Sequence, residues 1–147
     1  MATAPADVHV RVGIDAVVVE RVERLIRDHP DRSGEIFTAR ELAYCRSKRR
    51  GSEQLAARFA AKEAVLKAFG TGITRGMRFA DVEIVNDAAG RPQVRLDGAV
   101  ASFARRNGLA GLDVSLTHTA GLALAHAIAV WSHPRKGREP GAECAST

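Results

Sequence analysis

Aromatic side chains are scarce: one Trp, one Tyr and five Phe make up 5% of 147 residues. The core must then be filled mainly by Ala, Val, Leu and Ile, and little is left for the stacking platforms on which single-stranded nucleic acids lie. Cysteine is nearly absent as well. Cys45 and Cys144 lie far apart and match neither a metal-ligand spacing nor a disulfide framework, which predicts a reduced, cytoplasmic setting. No segment approaches the roughly 20 apolar residues of a membrane-crossing helix, so no membrane partner is expected. Met1 to Asp7 has neither a basic start nor an apolar run, so no signal peptide is expected there. Acidic charge is in deficit: 17 Asp and Glu face 22 Lys and Arg, a net charge of +5. That balance favours an anionic partner, whether nucleic acid, a phosphorylated small molecule or an acidic protein, and does not choose among them.

What is present is a globular composition, 46% hydrophobic and 27% charged, at a length that suits one domain. Val8, Val10, Val12 and Ile14 alternate with His9, Arg11 and Gly13, the period of a half-buried strand that Asp15 ends. Helical spacing follows at Val18, Val22, Leu25 and Ile26, with Pro30 beyond the stop. Thr38-Ala39-Arg40-Glu41 has the form of a capping box. The helix it opens runs through Leu42 and Tyr44 into the basic segment Arg46 to Arg50, where Gly51 breaks it. Ser52 is placed to cap a long third helix that carries Leu55, Phe59, Leu66 and Phe69 and stops at Gly70.

Thr71 to Gly76 predicts an irregular loop. Asp81–Asn86 and Gln93–Leu96 predict two strands around the turn Asp87-Ala88-Ala89-Gly90. A short helix is expected from Asp97 to about Asn107, stopped by Gly108. Leu112–Thr117 and Leu122–Val130 predict a hairpin bending at His118-Thr119-Ala120-Gly121. There is no internal repeat. The expected fold class is α+β: one domain over residues 8–131, with a small antiparallel sheet packed against helices and one long central helix. Residues 1–7 are expected to be flexible, and the Pro-, Gly- and charge-rich segment 132–147 to be disordered.

Several residues carry chemistry by type and position. Glu63 and Lys67 lie four apart on the predicted long helix and share a face, as a surface ion pair or as part of a site. Arg58 and Lys62 form a neighbouring stripe of like charge, unfavourable unless an anion lies between them. Asp15 can cap the helix that follows it, or can serve as a metal ligand. Magnesium is held by one or two protein carboxylates, with substrate phosphates and water completing its shell. A carboxylate from a strand, one from a helix and lysines nearby make that kind of set. His118, at a bend after an apolar strand, is either structural or exposed enough to bond a ligand. The cluster Arg46, Lys48, Arg49 and Arg50 is a solvated helix end or a grip on phosphate.

Gly13-Ile14-Asp15, Phe37-Thr38 followed by Glu41, Leu55 through Ile73, and Val114-Ser115-Leu116-Thr117-His118-Thr119 resemble, in order and spacing, the holo-acyl-carrier-protein synthase family of 4′-phosphopantetheinyl transferases. The similarity runs from about Val12 to Val130. Its most specific block is Ala57-Arg58-Phe59-Ala60-Ala61-Lys62-Glu63-Ala64 with Lys67-Ala68-Phe69-Gly70-Thr71-Gly72-Ile73. The resemblance implies a transfer of 4′-phosphopantetheine from coenzyme A to a serine of an apo-acyl carrier protein, releasing adenosine 3′,5′-bisphosphate, in fatty acid or polyketide biosynthesis.

It also implies roles by position. Asp15 and Glu63 would hold Mg2+, and Lys67 would bind the coenzyme A phosphates. Arg58 with Arg49 and Arg50 would face the nucleotide end, and His118 and Thr119 would close the pocket. Gly70 and Gly72 would let the backbone pass close to the ligand. Asp15, Glu63, Lys67 and His118 form the implied catalytic set, with Glu63 or a metal-bound water taking the serine proton. Arg21 would dock the acidic carrier protein. The family further implies a homotrimer with sites at subunit interfaces, Asp15, Glu63 and Lys67 from one subunit and His118 from its neighbour. Ala57 stands where glycine is expected in many relatives, and Arg49 where many have lysine. A nucleic-acid-binding module is the rival class, weakened by scattered basic residues and the absence of a recognised motif. The intact set of four argues against an inactive scaffold.

Overall fold

The computed structural model describes residues 6–74 and 76–134. The chain runs β1 (Ala6–Val18), α1 (Val19–Asp28), a 3-10 turn at Pro30–Arg32, α2 (Ser33–Ile36), α3 (Ala39–Arg46) and α4 (Gly51–Phe69). A second 3-10 turn at Phe79–Asp81 leads into β2 (Val82–Asn86), β3 (Pro92–Leu96), α5 (Gly98–Arg106), β4 (Leu109–Thr119) and β5 (Leu122–Pro134). β1, β5 and β4 form an antiparallel sheet in that order, and β2 pairs with β3 in a separate two-stranded ladder. The α+β expectation with one long helix across a small antiparallel sheet holds. No helix among the described residues is long and apolar enough to cross a membrane.

The centre of the molecule is α4 laid on the sheet, and it is built from small side chains. Ala56, Ala57, Ala60, Ala61, Ala64 and Ala68 of α4 are buried, and so are Ala123, Ala125, Ala127 and Ala129 of β5. Alanine on both surfaces lets helix and sheet approach closely, which is how a chain poor in aromatics fills its core. At Gly13 of β1 the approach is closer still. A Cβ there would lie 1.9 Å from the Ala64 carbonyl oxygen and 2.7 Å from the Ala68 nitrogen. Phe69, Phe103 and Trp131 gather at the far end of α4, with Phe69 and Trp131 edge to face at 5.1 Å.

One consequence inverts the strand expected at Val8–Ile14. The alternation is there, but the inward residues are Gly13 and Val17, against α4, while Val8, Val10, Val12 and Ile14 point outward and are 58–62% exposed. β5 does the same: its alanines face in, and Leu122, Leu124 and Ile128 face out. The bulky side chains cannot share the face that α4 occupies.

Boundaries differ at several sites. β1 does not end at Asp15 but continues to Val18, and α1 begins without a side-chain cap, so Asp15 is no helix cap. The capping box at Thr38 is present: Thr38 Oγ1 accepts from Glu41 N at 3.2 Å, and Thr38 N donates to Glu41 Oε2 at 2.9 Å. α3 stops at Arg46, and Gly51 opens α4 instead of breaking the helix before it. Ser52 does not cap α4, because the N-cap position is Arg50, which makes no side-chain cap bond. The β4–β5 hairpin bends only at Ala120 and Gly121, both at positive φ (48° and 77°), the pair a two-residue type I′ turn requires. His118 and Thr119 are therefore strand residues, opposite Ala123 and Leu122. β1 starts at Ala6 and β5 reaches Pro134, so strand structure extends past both expected domain edges. The rest of the expected flexible start and tail lies outside the described residues.

Candidate active site

β1 and α4 together place three of the expected residues at one point. Gly13 lets the strand touch the helix, so Asp15, two residues on and on the same face, comes up beside the C-terminal half of α4. Lys67 Nζ donates to Asp15 Oδ1 at 2.9 Å and to the Ile14 carbonyl at 2.9 Å. The lysine side chain is half exposed (52%) and the aspartate largely covered (18%). Glu63, one turn back on α4, is half-buried. Its carboxyl is raised above the ordinary range, first by burial and then by the charge of Asp15, against a smaller lowering by Lys67. Lys67 is held charged beyond its usual range, chiefly by its hydrogen bond to Asp15. The i,i+4 ion pair of Glu63 with Lys67 is replaced by the longer-range pair with Asp15.

This arrangement is two partly covered carboxylates that repel each other, with one lysine bonded to Asp15 and near enough to Glu63 to offset part of that repulsion. Among the described residues no group of three His, Cys, Asp or Glu is clustered. The set fits a hard divalent cation that takes two protein oxygens and fills its remaining positions from water and a phosphorylated ligand.

The other expected residues lie elsewhere. His118 stands on the same face of the sheet as Asp15 but on the far side of α4, two strands across and two residues along, about 12 Å away by strand geometry. Its Nδ1 is 3.0 Å from Glu53 Oε2, in the first turn of α4. Arg50 NH1 is 3.7 Å from the same carboxylate oxygen. Arg49 and Arg50 are exposed in the α3–α4 connection, and Thr119 is exposed at the end of β4. Gly70, at φ 75°, is the left-handed cap of α4, with Gly72 just beyond it. Arg21 is exposed on α1. It borders an open groove of about 580 Å³ with Val18, Arg24, Leu25 and Phe59.

Arg58 and Lys62 do not converge on one point between them: each turns to partners within the chain. Lys62 is fully buried and donates to Glu41 Oε2 at 2.8 Å, to the Phe79 carbonyl at 3.2 Å and to the Val82 carbonyl. Arg58 is 3% exposed. It donates to Asn86 Oδ1 at 2.7 Å and to Gln54 Oε1 at 3.2 Å, and it stacks on Tyr44 at 4.5 Å. It still borders a hollow of about 160 Å³ that His118, Gln54 and Asn86 also line, which brings Arg58 and His118 to one place.

Glu41 and Glu53 were not singled out by sequence as site or network residues. Glu41 was visible only as part of a capping box and of the Phe37-Thr38 block that carries the family resemblance, and its second role, accepting from the Ile84 amide at 2.9 Å, depends on a strand far along the chain. Glu53 had one available signal, an acid in the first turn of a helix, which has many causes.

The fold and sequence have known counterparts. The model of the 4′-phosphopantetheinyl transferase superfamily matches residues 11–125. A holo-[acyl-carrier-protein] synthase from Ruminiclostridium cellulolyticum is 44% identical over 119 residues, 80% of this chain and 89% of its own length. The crystal structure of the Neisseria meningitidis holo-[acyl-carrier-protein] synthase superposes with a TM-score of 0.74 at 32% identity, covering 81% of this chain and 96% of that one. The Helicobacter pylori holo-[acyl-carrier-protein] synthase, solved in complex with coenzyme A, superposes with a TM-score of 0.70 at 28% identity over 80% of this chain and 98% of that one. A family model spanning most of the chain, a sequence match at this identity and a shared fold leave one assignment: the chain belongs to the 4′-phosphopantetheinyl transferase superfamily.

Proposed function

We propose that this chain is a holo-[acyl-carrier-protein] synthase: it moves 4′-phosphopantetheine from coenzyme A to a serine hydroxyl of an apo-acyl carrier protein and releases adenosine 3′,5′-bisphosphate. The observation that carries the proposal is the meeting of Asp15, Glu63 and Lys67 where β1 crosses α4. Asp15 and Glu63 would hold Mg2+, which when bound offsets negative charge on the pyrophosphate. Lys67 is placed by Asp15 and the Ile14 carbonyl so that its ammonium faces the same spot, where it would stabilise charge growing on the leaving phosphate. Glu63 is this chain's candidate to take the serine proton.

The nucleotide end would fall to Arg49, Arg50, Arg58, His118 and Thr119, with Gly70 and Gly72 letting the backbone beyond α4 pass close to the ligand. The hollow shared by Arg58 and His118 supports that grouping. So does the position of Arg50 at the start of α4, beside Glu53 and His118. Arg21 would meet the acidic surface of the carrier. Arg24 and Arg27 on the same helix pair with Glu20 and Asp28, whereas Arg21 makes no ion pair among the described residues.

The assembly we propose is a homotrimer acting in the cytoplasm. Two features support sharing a site between subunits: the outward apolar face of β1 and β5, and the placing of His118 across α4 from the carboxylates.

Incubation with coenzyme A, Mg2+ and a panel of apo-carriers from fatty acid and polyketide assembly, followed by mass spectrometry, tests the activity. A gain of one phosphopantetheine arm on the carrier serine is expected. Asp15→Ala should abolish it in a folded protein, and full transfer by that variant would overturn the site.

A further inference from the structure

We infer that Glu53 is a positioning residue for His118: its carboxylate fixes the imidazole with the proton on Nδ1 and turns Nε2 toward the ligand hollow. The inference deepens the proposed coenzyme A site and rests on His118 belonging to it.

Three features of the structure lead there. Glu53 Oε2 is shut off from solvent, and no N–H or O–H group, the His118 ring included, meets it in hydrogen-bonding geometry. Arg50 approaches the same oxygen only to 3.7 Å. His118 Nδ1 lies 3.0 Å from it. A bare Nδ1 lone pair at that distance would face a buried carboxylate oxygen with no hydrogen between them, which is repulsive and leaves the oxygen unsatisfied. With the proton on Nδ1 and a small turn of the ring onto Oε2, the contact becomes a charge-assisted hydrogen bond. The ring's second nitrogen is thereby defined, because the partner of one imidazole nitrogen decides the state of the other.

Position reinforces this. Glu53 is in the first turn of α4, where the helix dipole favours a carboxylate. His118 is fixed in β4 by its pairing with Ala123, not carried on a mobile bend. Both groups therefore come from regular elements that pack on one another. The hollow that His118 borders has an apolar floor of Ala57, Ile84 and Leu116 and a polar edge of Arg58, Gln54 and Asn86, the edge suited to an anionic or nucleotide group.

Steady-state transfer kinetics with coenzyme A varied, on wild type, H118A, E53A, E53Q and the E53A/H118A double variant, test the inference alongside 15N NMR of the histidine rings. H118A should raise the Michaelis constant for coenzyme A by about 10- to 100-fold, the loss of one hydrogen bond to a charged group. E53A should give most of that loss, and the double variant no more than H118A alone. E53Q, whose amide oxygen still accepts from Nδ1–H, should recover part of it. The NMR signature should show Nδ1 protonated in wild type and E53Q, and a shift toward Nε2–H in E53A. An unperturbed H118A would sink both the placing of His118 in the site and this inference. An impaired H118A with an unaffected E53A, or single effects that multiply in the double variant, would overturn the positioning role alone. If E53A does not fold, the wild-type spectrum decides: a bare Nδ1 refutes the inference.

Discussion

Removing the side chain of Lys62 would strand Glu41. Both are buried, and each is fully used: the ammonium reaches Glu41 and two carbonyls, while the carboxylate also accepts from the Thr38 and Ile84 amides. The pair ties α3, α4 and β2 together. Burial pushes the Lys62 ammonium down and Glu41 pushes it back up. Lys62→Met leaves an unpaired buried carboxylate and should cost about 3–5 kcal/mol in chemical denaturation, while adding Glu41→Gln should recover part of that loss. A second residue-scale prediction concerns Glu63. Burial and the charge of Asp15 raise its carboxyl above the unfolded value, so the folded chain holds that proton more tightly than the unfolded chain does. Stability from this group is present at acid pH and is lost as pH rises through the raised value. Glu63→Gln should therefore melt higher than wild type at neutral pH without divalent cation, and the gap should close near pH 4. Adding Mg2+ should raise the melting temperature of wild type only, since ligand binding to the folded state stabilises it. Transfer should be lost. A lower melting temperature for the variant at neutral pH would refute the repulsion between Asp15 and Glu63.

At the scale of elements, the site depends on how closely β1 approaches α4. Gly13 permits that contact, and any Cβ there would strike the helix backbone. Gly13→Ala should destabilise the fold by about 1–3 kcal/mol or more, the usual cost of overpacking, and should also depress transfer because Asp15 is moved off Lys67. Thermal melts and transfer assays on one sample check both; an unchanged melt would refute the close packing. Gly13-Ile14-Asp15 was conspicuous as a motif, and the close contact explains its glycine. The end of β1 was not legible, because Ala16–Val19 is apolar throughout and α1 starts without a capping side chain, so nothing polar marks the junction. The bend at His118 was misplaced because Ala120 and Gly121 alone complete the turn. Arg58 and Lys62 looked like a phosphate grip because their partners, Asn86 and Glu41, are distant in sequence. Helical spacing shows neighbours on one helix and is blind to such contacts.

At the scale of the molecule, the isolated chain leaves a sheet face that water covers badly. Val12 and Ile128 are register partners on it, 62% and 40% exposed, flanked by Val10, Ile14 and Leu124. The buried alanines of β5 are all on the other side, against α4, and the outward face carries the bulky residues, as a face for contact with another chain would. Burying an aliphatic side chain of this size is worth about 1.5–3 kcal/mol, and several in a row would supply a stable interface. Val12→Glu with Ile128→Glu places charge at the centre of that face without touching Asp15, Glu63, Lys67 or His118. Light scattering should give three chains per particle for wild type and one for the double variant, and transfer should fall with the mass. If β1 and α4 supply the carboxylates of a site that a neighbour's His118 completes, a folded monomer retains every catalytic side chain and still fails. A monomeric double variant with undiminished transfer would refute the shared site and leave one chain sufficient.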